Sequence, residues 1–179
     1  MDERDQSSLP SGGGFLRTAQ IIASALVAGS LSFLLIAVFV RATGKNGLLA
    51  ANPWKILPPE GPIALIALFV GASVLAASLM VPKAIVTAAR QVKRKNLAAS
   101  SEAGGFDGVF INEMIVGMAL LECGAFFNGI AFMLEGRIPS LIAALVLILA
   151  MVARYPTRTT LDAFAENQEA LLFEERQSA

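Results

Sequence analysis

Four long apolar runs divide this chain, and they constrain its fold more than any other feature. An α-helix needs roughly 20 mostly apolar residues to cross a hydrocarbon core about 30 Å thick, and these runs reach that length or come close to it. Membrane strands would be short and alternating, whereas these runs are continuous and rich in Leu, Ala and Ile. The sequence predicts an all-α integral membrane four-helix bundle over residues 15–155, with spans at 15–40, 62–81, 114–134 and 138–153.

The composition agrees with a bilayer as the surroundings of most side chains. Hydrophobic residues make up 55% of the chain against 16% charged, and the mean hydropathy is +0.65. One soluble core could not cover that much apolar surface. The first run follows an acidic segment and is too long for the hydrophobic region of a signal peptide, so we expect it to be retained.

The side chains that many enzymes need are missing from the sequence. It contains no histidine, which excludes Ser-His dyads and His-metal sites, and the apolar runs hold no paired aspartates. Cys123 is the sole cysteine, so an intrachain disulfide is impossible, and we expect it to pack as a small apolar side chain. We therefore expect no enzyme, no metal site and no cofactor. A lone glutamate acting as an acid or base is the one catalytic role left open.

Basic residues are divided unevenly between the two sides of the predicted membrane domain. Four spans place both termini and the central loop on one side, which carries most of the arginines and lysines. The positive-inside rule then predicts a multi-pass protein of the cell membrane with cytoplasmic N- and C-termini. The larger group is Arg4, Arg17, Lys83, Arg90, Lys93, Arg94, Lys95, Arg154, Arg158 and Arg176, and the smaller group is Arg41, Lys45, Lys55 and Arg137.

Segments outside the spans carry further predictions. Residues 1–14 are polar and end in three glycines, so we expect a disordered cytoplasmic tail. Residues 83–108 form a basic cytoplasmic loop, whose part 83–99 is rich in helix formers and could continue the second span. Trp54, after the first span, is most simply an interfacial anchor. A basic cluster in the loop could bind anionic headgroups or act only as a topology signal: Arg90, Lys93, Arg94 and Lys95.

Residues 156–179 are predicted to form a cytoplasmic amphipathic acidic helix and tail. The sequence Pro-Thr-Arg-Thr-Thr at its start offers a threonine cap. An anionic leaflet would repel the acidic face, so we expect the helix to pack on the basic loop or on a partner, or else to stay solvated. The apolar stripe is Leu161, Phe164, Ala165 and Leu172, and the acidic residues beside it are Asp162, Glu166 and Glu169.

The first and third runs resemble each other. Aligning residues 21–37 with residues 115–131 brings several identical side chains together. The bundle could therefore consist of two related helical hairpins, or the match could reflect the low complexity of apolar sequence. In the first case Glu122 takes the place of Ala28, and one hairpin carries the polar site.

Glu122 is the charged side chain that lies deepest in any of the four runs. An ionisable group at that depth costs at least ~2.5 kcal/mol, which marks it as a candidate functional residue. On a helix it shares a face with Met118, Phe126 and Gly129, and serines of the first two spans are its available partners. No basic residue lies deep in a span, so desolvation favours the protonated carboxyl. Glu122 could bind and release a proton or a cation, or it could make a permanent interhelical hydrogen bond.

Residues 119–128, Ala-Leu-Leu-Glu-Cys-Gly-Ala-Phe-Phe-Asn, resemble the proton-carrying helix of rotary ATPase proteolipid (c) subunits, which reads approximately Ala-Leu-x-Glu-x-x-Ala-Ile-Tyr-Gly. This resemblance implies that Glu122 carries a proton. Taken whole, the chain resembles uncharacterised bacterial four-span membrane proteins that have an acid in the third span and Pro-Thr-Arg after the fourth, here residues 156–158. That resemblance implies a four-span fold and no activity.

These patterns predict an interaction role for the protein. We expect a small structural or interaction component of a membrane complex, with Glu122 as its polar centre. The alternative is a proton- or cation-coupled translocation unit that uses Glu122 and acts as an oligomer, because four spans seldom enclose a pathway alone. The expected partners are the lipid bilayer and either further copies of the chain or other subunits of a membrane complex, and no nucleic acid.

Overall fold

The structure is a computed structural model that describes residues 12–44, 47–49, 53–54, 62–97, 107–160, 162–164, 166–167 and 170. The described residues form four α-helices that alternate in direction: α1 (Gly12–Thr43), α2 (Pro62–Leu97), α3 (Asp107–Glu135) and α4 (Ile138–Ala153). These ranges contain no strand, so the all-α prediction is confirmed for them.

The helix limits match the predicted runs or extend beyond them. α4 has the predicted limits, whereas α1 begins at Gly12, inside the predicted tail. The rest of that tail, residues 1–11, lies outside the described residues. α2 continues to Leu97, as the helix formers of residues 83–99 predict, so helix replaces the first part of the predicted loop.

Three helices are long and apolar enough to cross a membrane, at residues Leu16–Thr43, Pro62–Ala88 and Phe110–Glu135. α4 has 16 residues, and a helix of that size is about 24 Å long, short of a hydrocarbon core of about 30 Å. A bend of 75° separates it from a further helical segment, Arg158–Phe164. The fourth predicted span is therefore an apolar helix that is shorter than the other three.

The helices form a bundle with a rhombic cross-section. α3 and α4 lie against each other across the short diagonal, and each of them contacts both α1 and α2. α1 and α2 occupy the far corners and make almost no contact in the described part of the chain. Two related hairpins would pack α1 on α2 as α3 packs on α4, so these contacts do not show the two-hairpin relation that the sequence suggested.

The two ends of the bundle differ in how the chain turns. We name the end around Arg41 and Glu135 the loop end and the end around Phe110 and Tyr155 the tail end. At the loop end α3 stops because Gly136 adopts a φ of 66°. The N–H of this glycine donates to the carbonyl oxygen four residues earlier at 2.7 Å. α4 then starts at once, with a proline in its first turn.

The core is centred on α3, which contacts all three other helices. Its large members come mainly from α3 and α4, whereas α1 contributes Leu16 and Leu34 beside small residues that let its backbone approach closely. Such contacts allow helices to associate where lipid removes the hydrophobic driving force between them. The large side chains include Met118, Leu121, Phe132, Leu147, Ile148 and Met151, and the small ones on α1 are Ala19, Ala23 and Ala37.

The outer faces of the bundle are apolar. Leu35 on α1 is 70% exposed and Phe69 on α2 is 74% exposed, with further large apolar side chains around them. Extended apolar surface of this kind is rare on soluble monomers. It suits a hydrocarbon environment.

After α4 the chain turns and starts the segment Arg158–Phe164 with a pair of threonines. The Thr157 N–H donates to Thr160 Oγ1 at 2.9 Å, and the Thr160 N–H donates to Thr157 Oγ1 at 3.3 Å. The ring of Phe164 lies 5.3 Å from that of Phe110, so the segment folds back on the start of α3. Other members of the predicted apolar stripe lie outside the described residues: Leu161, Ala165 and Leu172.

Candidate functional site

Glu122 lies on the face of α3 that contacts α1, and it is half-buried. A Cβ added at Gly29 of α1 would lie 3.5 Å from Glu122 Oε1, so the carboxyl reaches the α1 backbone. One turn along α3, the Phe126 ring meets the Phe33 ring edge to face with centroids 4.8 Å apart. Gly129 lies against the same Phe33 ring. The carboxyl is thus placed at the α1–α3 contact rather than in the centre of the bundle.

No hydrogen bond or ion pair within the described ranges holds the Glu122 carboxyl. Most of the serines that the sequence offers as partners make other contacts, so the predicted serine bond is not formed by them. Two of these bonds stay within α2, one joins α1 to the last turn of α4, and one joins α1 to the chain just after α4. The four bonds are Ser24 to the Tyr155 hydroxyl, Ser30 to Met151 Sδ, Ser73 to the Phe69 carbonyl and Ser78 to the Leu75 carbonyl.

Small residues surround Glu122 on the outside of the bundle. Ala25 and Gly29 of α1 are exposed, and so are Ala119 and Cys123 of α3. Residues three or four positions apart on a helix are neighbours. Ala25 therefore lies next to Gly29 on α1, and Ala119 lies next to Cys123 on α3. We name these five residues, with Glu122 at the centre, the Glu122 surface. It combines an unpartnered carboxyl with a backbone that another helix can approach closely.

Asn128 is the buried polar residue that the sequence pattern does not mark as a site. Its Nδ2 donates to the Ala67 carbonyl of α2 at 3.0 Å and to the Gly124 carbonyl at 2.9 Å. Its Oδ1 is buried without a partner among the described residues. Gly71 makes room for the amide, because an added Cβ would lie 2.7 Å from Nδ2. The small residues Ala67 and Gly71, one turn apart, are the only sequence signal of this contact.

A charged cluster at the loop end caps two helices. Arg41 donates from Nη1 to the Leu134 carbonyl and from Nη2 to the Glu135 carbonyl, each at 3.3 Å. The Glu135 carboxylate accepts the Ile63 N–H at 2.8 Å and the Ala64 N–H at 2.9 Å. A cation therefore lies at the C-terminus of α3 and an anion at the N-terminus of α2, as helix dipoles favour. These contacts assign the cluster a structural role.

Arg154 makes a corresponding contact at the tail end. Its Nη1 donates to the Ser78 carbonyl of α2 at 2.9 Å. That carbonyl lacks its usual partner, because Pro82 stands four residues later and has no N–H. Arg154 thus satisfies the carbonyl that Pro82 leaves unpaired, and α2 continues past the proline to Leu97.

The other predicted site residues lie apart from Glu122. Trp54 is 64% exposed and follows Pro53, whose carbonyl accepts the Ile138 N–H at 3.0 Å. The basic cluster belongs to the last turns of α2, but its side chains lie outside the described residues: Arg90, Lys93, Arg94 and Lys95. Across the described ranges, no group of His, Cys, Asp and Glu side chains could hold a metal ion.

Comparisons with protein-family models, with curated proteins and with solved structures give no match for this chain. The resemblances of residues 119–128 and of the whole chain therefore stay predictions. The contacts described above are the basis for assigning a function.

Proposed function

We propose that this protein is an integral membrane interaction subunit, which binds a transmembrane helix of another subunit through the Glu122 surface. The observation that carries this proposal is the half-buried Glu122 carboxyl, which has no partner among the described residues. A polar group left unsatisfied in lipid costs several kcal/mol. A neighbouring helix that offers a hydrogen-bonding group removes this cost.

The shape of the Glu122 surface supports the same role. Its small residues let a second backbone come close, and a hydrogen bond across helices contributes about 0.6–2 kcal/mol to association. A protonated carboxyl can donate as well as accept. Two copies of Glu122 can therefore pair across a two-fold axis, which makes a second copy of the chain the simplest partner.

We further propose a multi-pass location in the cell membrane, in bacteria the cytoplasmic membrane, with both termini in the cytoplasm. The uneven division of basic residues supports this orientation. At the loop end, Arg41 is only 9% exposed and Arg137 only 6%. Arg41 is held there by its capping role, which accounts for a basic residue on the side that carries few of them. A short apolar helix such as α4 is accommodated by local thinning of the bilayer.

Cys123 makes the Glu122 surface directly testable, because it is exposed and is the sole cysteine. Oxidation of membranes with copper phenanthroline should link wild-type chains into a disulfide dimer. The matched control is Phe69→Cys in a Cys123→Ser background, which moves the thiol to the outer face of α2 and should leave the chain monomeric. A helix partner of different sequence would give no disulfide dimer and would be identified by co-purification from native membranes.

Substitutions distinguish a loss of the contact between subunits from a loss of the fold of one chain. Glu122→Leu and Gly29→Leu should both reduce the size of the native complex in mild detergent, because one removes the hydrogen-bonding group and the other blocks close approach. Glu122→Gln keeps hydrogen bonding and should retain the complex, as should the control Phe69→Leu. The proposal is wrong if folded Glu122→Leu and Gly29→Leu proteins keep the wild-type complex size on native electrophoresis.

A proton- or cation-coupled translocation unit is the second candidate, and the partial exposure of the Glu122 carboxyl favours it. An ionisable group at the interface of an oligomer can take up and release a proton. Glu122→Gln preserves size and hydrogen bonding but cannot ionise. Loss of pH-dependent ion flux in liposomes, with the complex intact, would establish translocation, whereas no flux in either protein would leave the interaction role.

A further inference from the structure

A cavity at the tail end has a lining that the Glu122 surface does not explain. It has a volume of about 280 Å³ and lies between α2, α3, α4 and the chain that follows α4. The lining is polar on part of its wall and apolar on the rest. Its main members are Ser78, Phe110, Glu113, Arg154, Tyr155 and Thr160.

Glu113 and Arg154 bring opposite charges to this cavity. Both side chains line the cavity, and the described structure contains no direct ion pair between them. Glu113 Oε2 is buried and has no hydrogen-bond partner among the described residues. Arg154 uses Nη1 for the Ser78 carbonyl at 2.9 Å and keeps further N–H groups. An acceptor and a donor therefore both line the cavity without a hydrogen bond between them.

The cavity lies at the boundary of the apolar runs. Ser78 is in the last turn of the second predicted span, Glu113 directly precedes the third, and Arg154 directly follows the fourth. By the limits of the predicted spans, this is the depth of the lipid headgroups. Leu79, which lines the cavity, and Val152, which precedes the lining residue Ala153, are exposed apolar side chains.

We propose that this cavity binds a ligand in which an ammonium group lies next to a phosphate, the chemistry of a phosphatidylethanolamine headgroup. Glu113 accepts hydrogen bonds from the ammonium, and the planar guanidinium of Arg154 donates to the phosphate. The acyl chains run along the exposed apolar side chains. This site depends on the membrane location proposed above but not on the Glu122 surface.

The two charges predict which headgroups bind. Phosphatidylglycerol has the phosphate but no ammonium, so it leaves Glu113 without a partner. Phosphatidylcholine has both charges, but its quaternary ammonium has no N–H to donate to Glu113. Binding should therefore be tightest for phosphatidylethanolamine, by about tenfold, which is the effect of one charge-assisted hydrogen bond.

Native mass spectrometry of the purified protein with these three lipids, all with dioleoyl chains, tests the site. Glu113→Gln should abolish the preference for phosphatidylethanolamine while leaving phosphatidylglycerol binding unchanged. Arg154→Lys, which keeps the charge and a donor for Ser78, should weaken all three lipids because each contains a phosphate. The matched controls are Asp162→Asn and Arg158→Lys, which alter exposed residues outside the cavity and should change nothing.

Competition with soluble phosphoethanolamine distinguishes the source of the ligand. Displacement of the lipid at equal concentration would identify a soluble zwitterion of the proposed chemistry, whereas retention of the lipid would identify the headgroup. Equal wild-type affinity for phosphatidylethanolamine and phosphatidylcholine would overturn the proposal. So would a Glu113→Gln protein that keeps the wild-type preference.

Discussion

Asn128 and Gly71 lie at a close contact between α2 and α3. The Asn128 amide occupies the space beside Gly71, where an added Cβ would lie 2.7 Å from Nδ2. At Gly29 the corresponding distance to Glu122 Oε1 is 3.5 Å, an ordinary contact, and the glycine is exposed. The two glycines therefore differ in role, since Gly71 serves the fold of one chain and Gly29 belongs to its outer surface.

Gly71→Ala should lower the free energy of unfolding by about 1–3 kcal/mol, because the added Cβ displaces the Asn128 amide from the Ala67 carbonyl. Gly29→Ala is the matched control and should change stability by less than about 1 kcal/mol, in the stabilising direction of helix propensity. Unfolding of the purified variants by SDS in mixed micelles measures both. Equal losses in the two variants would contradict a specific role for the Asn128 contact.

Charge explains why the sequence marks Glu122 and passes over Asn128. A carboxyl in an apolar run is costly whatever its neighbours are, so its position alone makes it a candidate. A neutral amide costs less than a charge in an apolar run, so its position alone does not show whether it lies at a helix interface or elsewhere in the fold. Its importance here comes from Ala67 and Gly71, which lie on another helix about sixty residues away along the chain.

At the scale of the helices, Glu135 joins α2 and α3. It belongs to α3 and caps the N-terminus of α2. Both carboxylate oxygens accept backbone N–H groups in the first turn of α2, from Ile63 and Ala64. Arg41 of α1 donates to the carbonyls at the end of α3. Three helices thus meet at the loop end through complementary charges at their termini.

Glu135→Ala should destabilise the protein by about 1–2 kcal/mol, the usual effect of removing a cap from a helix N-terminus. Glu135→Gln should lose less, because its amide oxygen still accepts one of the two N–H groups. Thermal or SDS unfolding of the purified proteins measures the difference, with the exposed acid Glu166→Ala as control. A loss in Glu135→Ala no larger than in Glu166→Ala would show that the cap does not stabilise the bundle.

The positions of the elements were largely predictable, because turn residues and hydropathy act locally. The limits of α4 follow from its apolar run, and its start is reinforced by a glycine and a proline. The extension of α2 to Leu97 follows from its helix formers. The bend of 75° after α4 could not be predicted from the local sequence. It brings Phe164 onto Phe110, which belongs to α3, and such a contact between distant segments leaves no local signal.

For the whole molecule, the orientation proposed above gives a direct test in a bacterial membrane. Alkaline phosphatase fused after the last residue should be inactive, because it stays in the cytoplasm, whereas an insertion at residues 47–49 should be active. A fluorescent protein at the same two positions should give the reverse pattern. Replacing each residue of the basic cluster with glutamine should lower the fraction of correctly oriented chains. The cluster is Arg90, Lys93, Arg94 and Lys95. An active phosphatase at the C-terminus of the wild-type chain would contradict the orientation.

The sequence by itself determined the all-α class, the positions of the apolar helices and the unusual position of Glu122. Each of these depends on how single residues or short segments interact with their solvent, so local hydropathy and charge are sufficient to predict them. Only the tertiary structure decided that α1 and α2 stay apart, that Asn128 is buried and that Glu122 reaches an outer surface. It also decided that Glu113 and Arg154 share a cavity. The reason is that these features depend on the fit between side chains from distant segments. Four apolar runs of similar composition do not show which side chains meet.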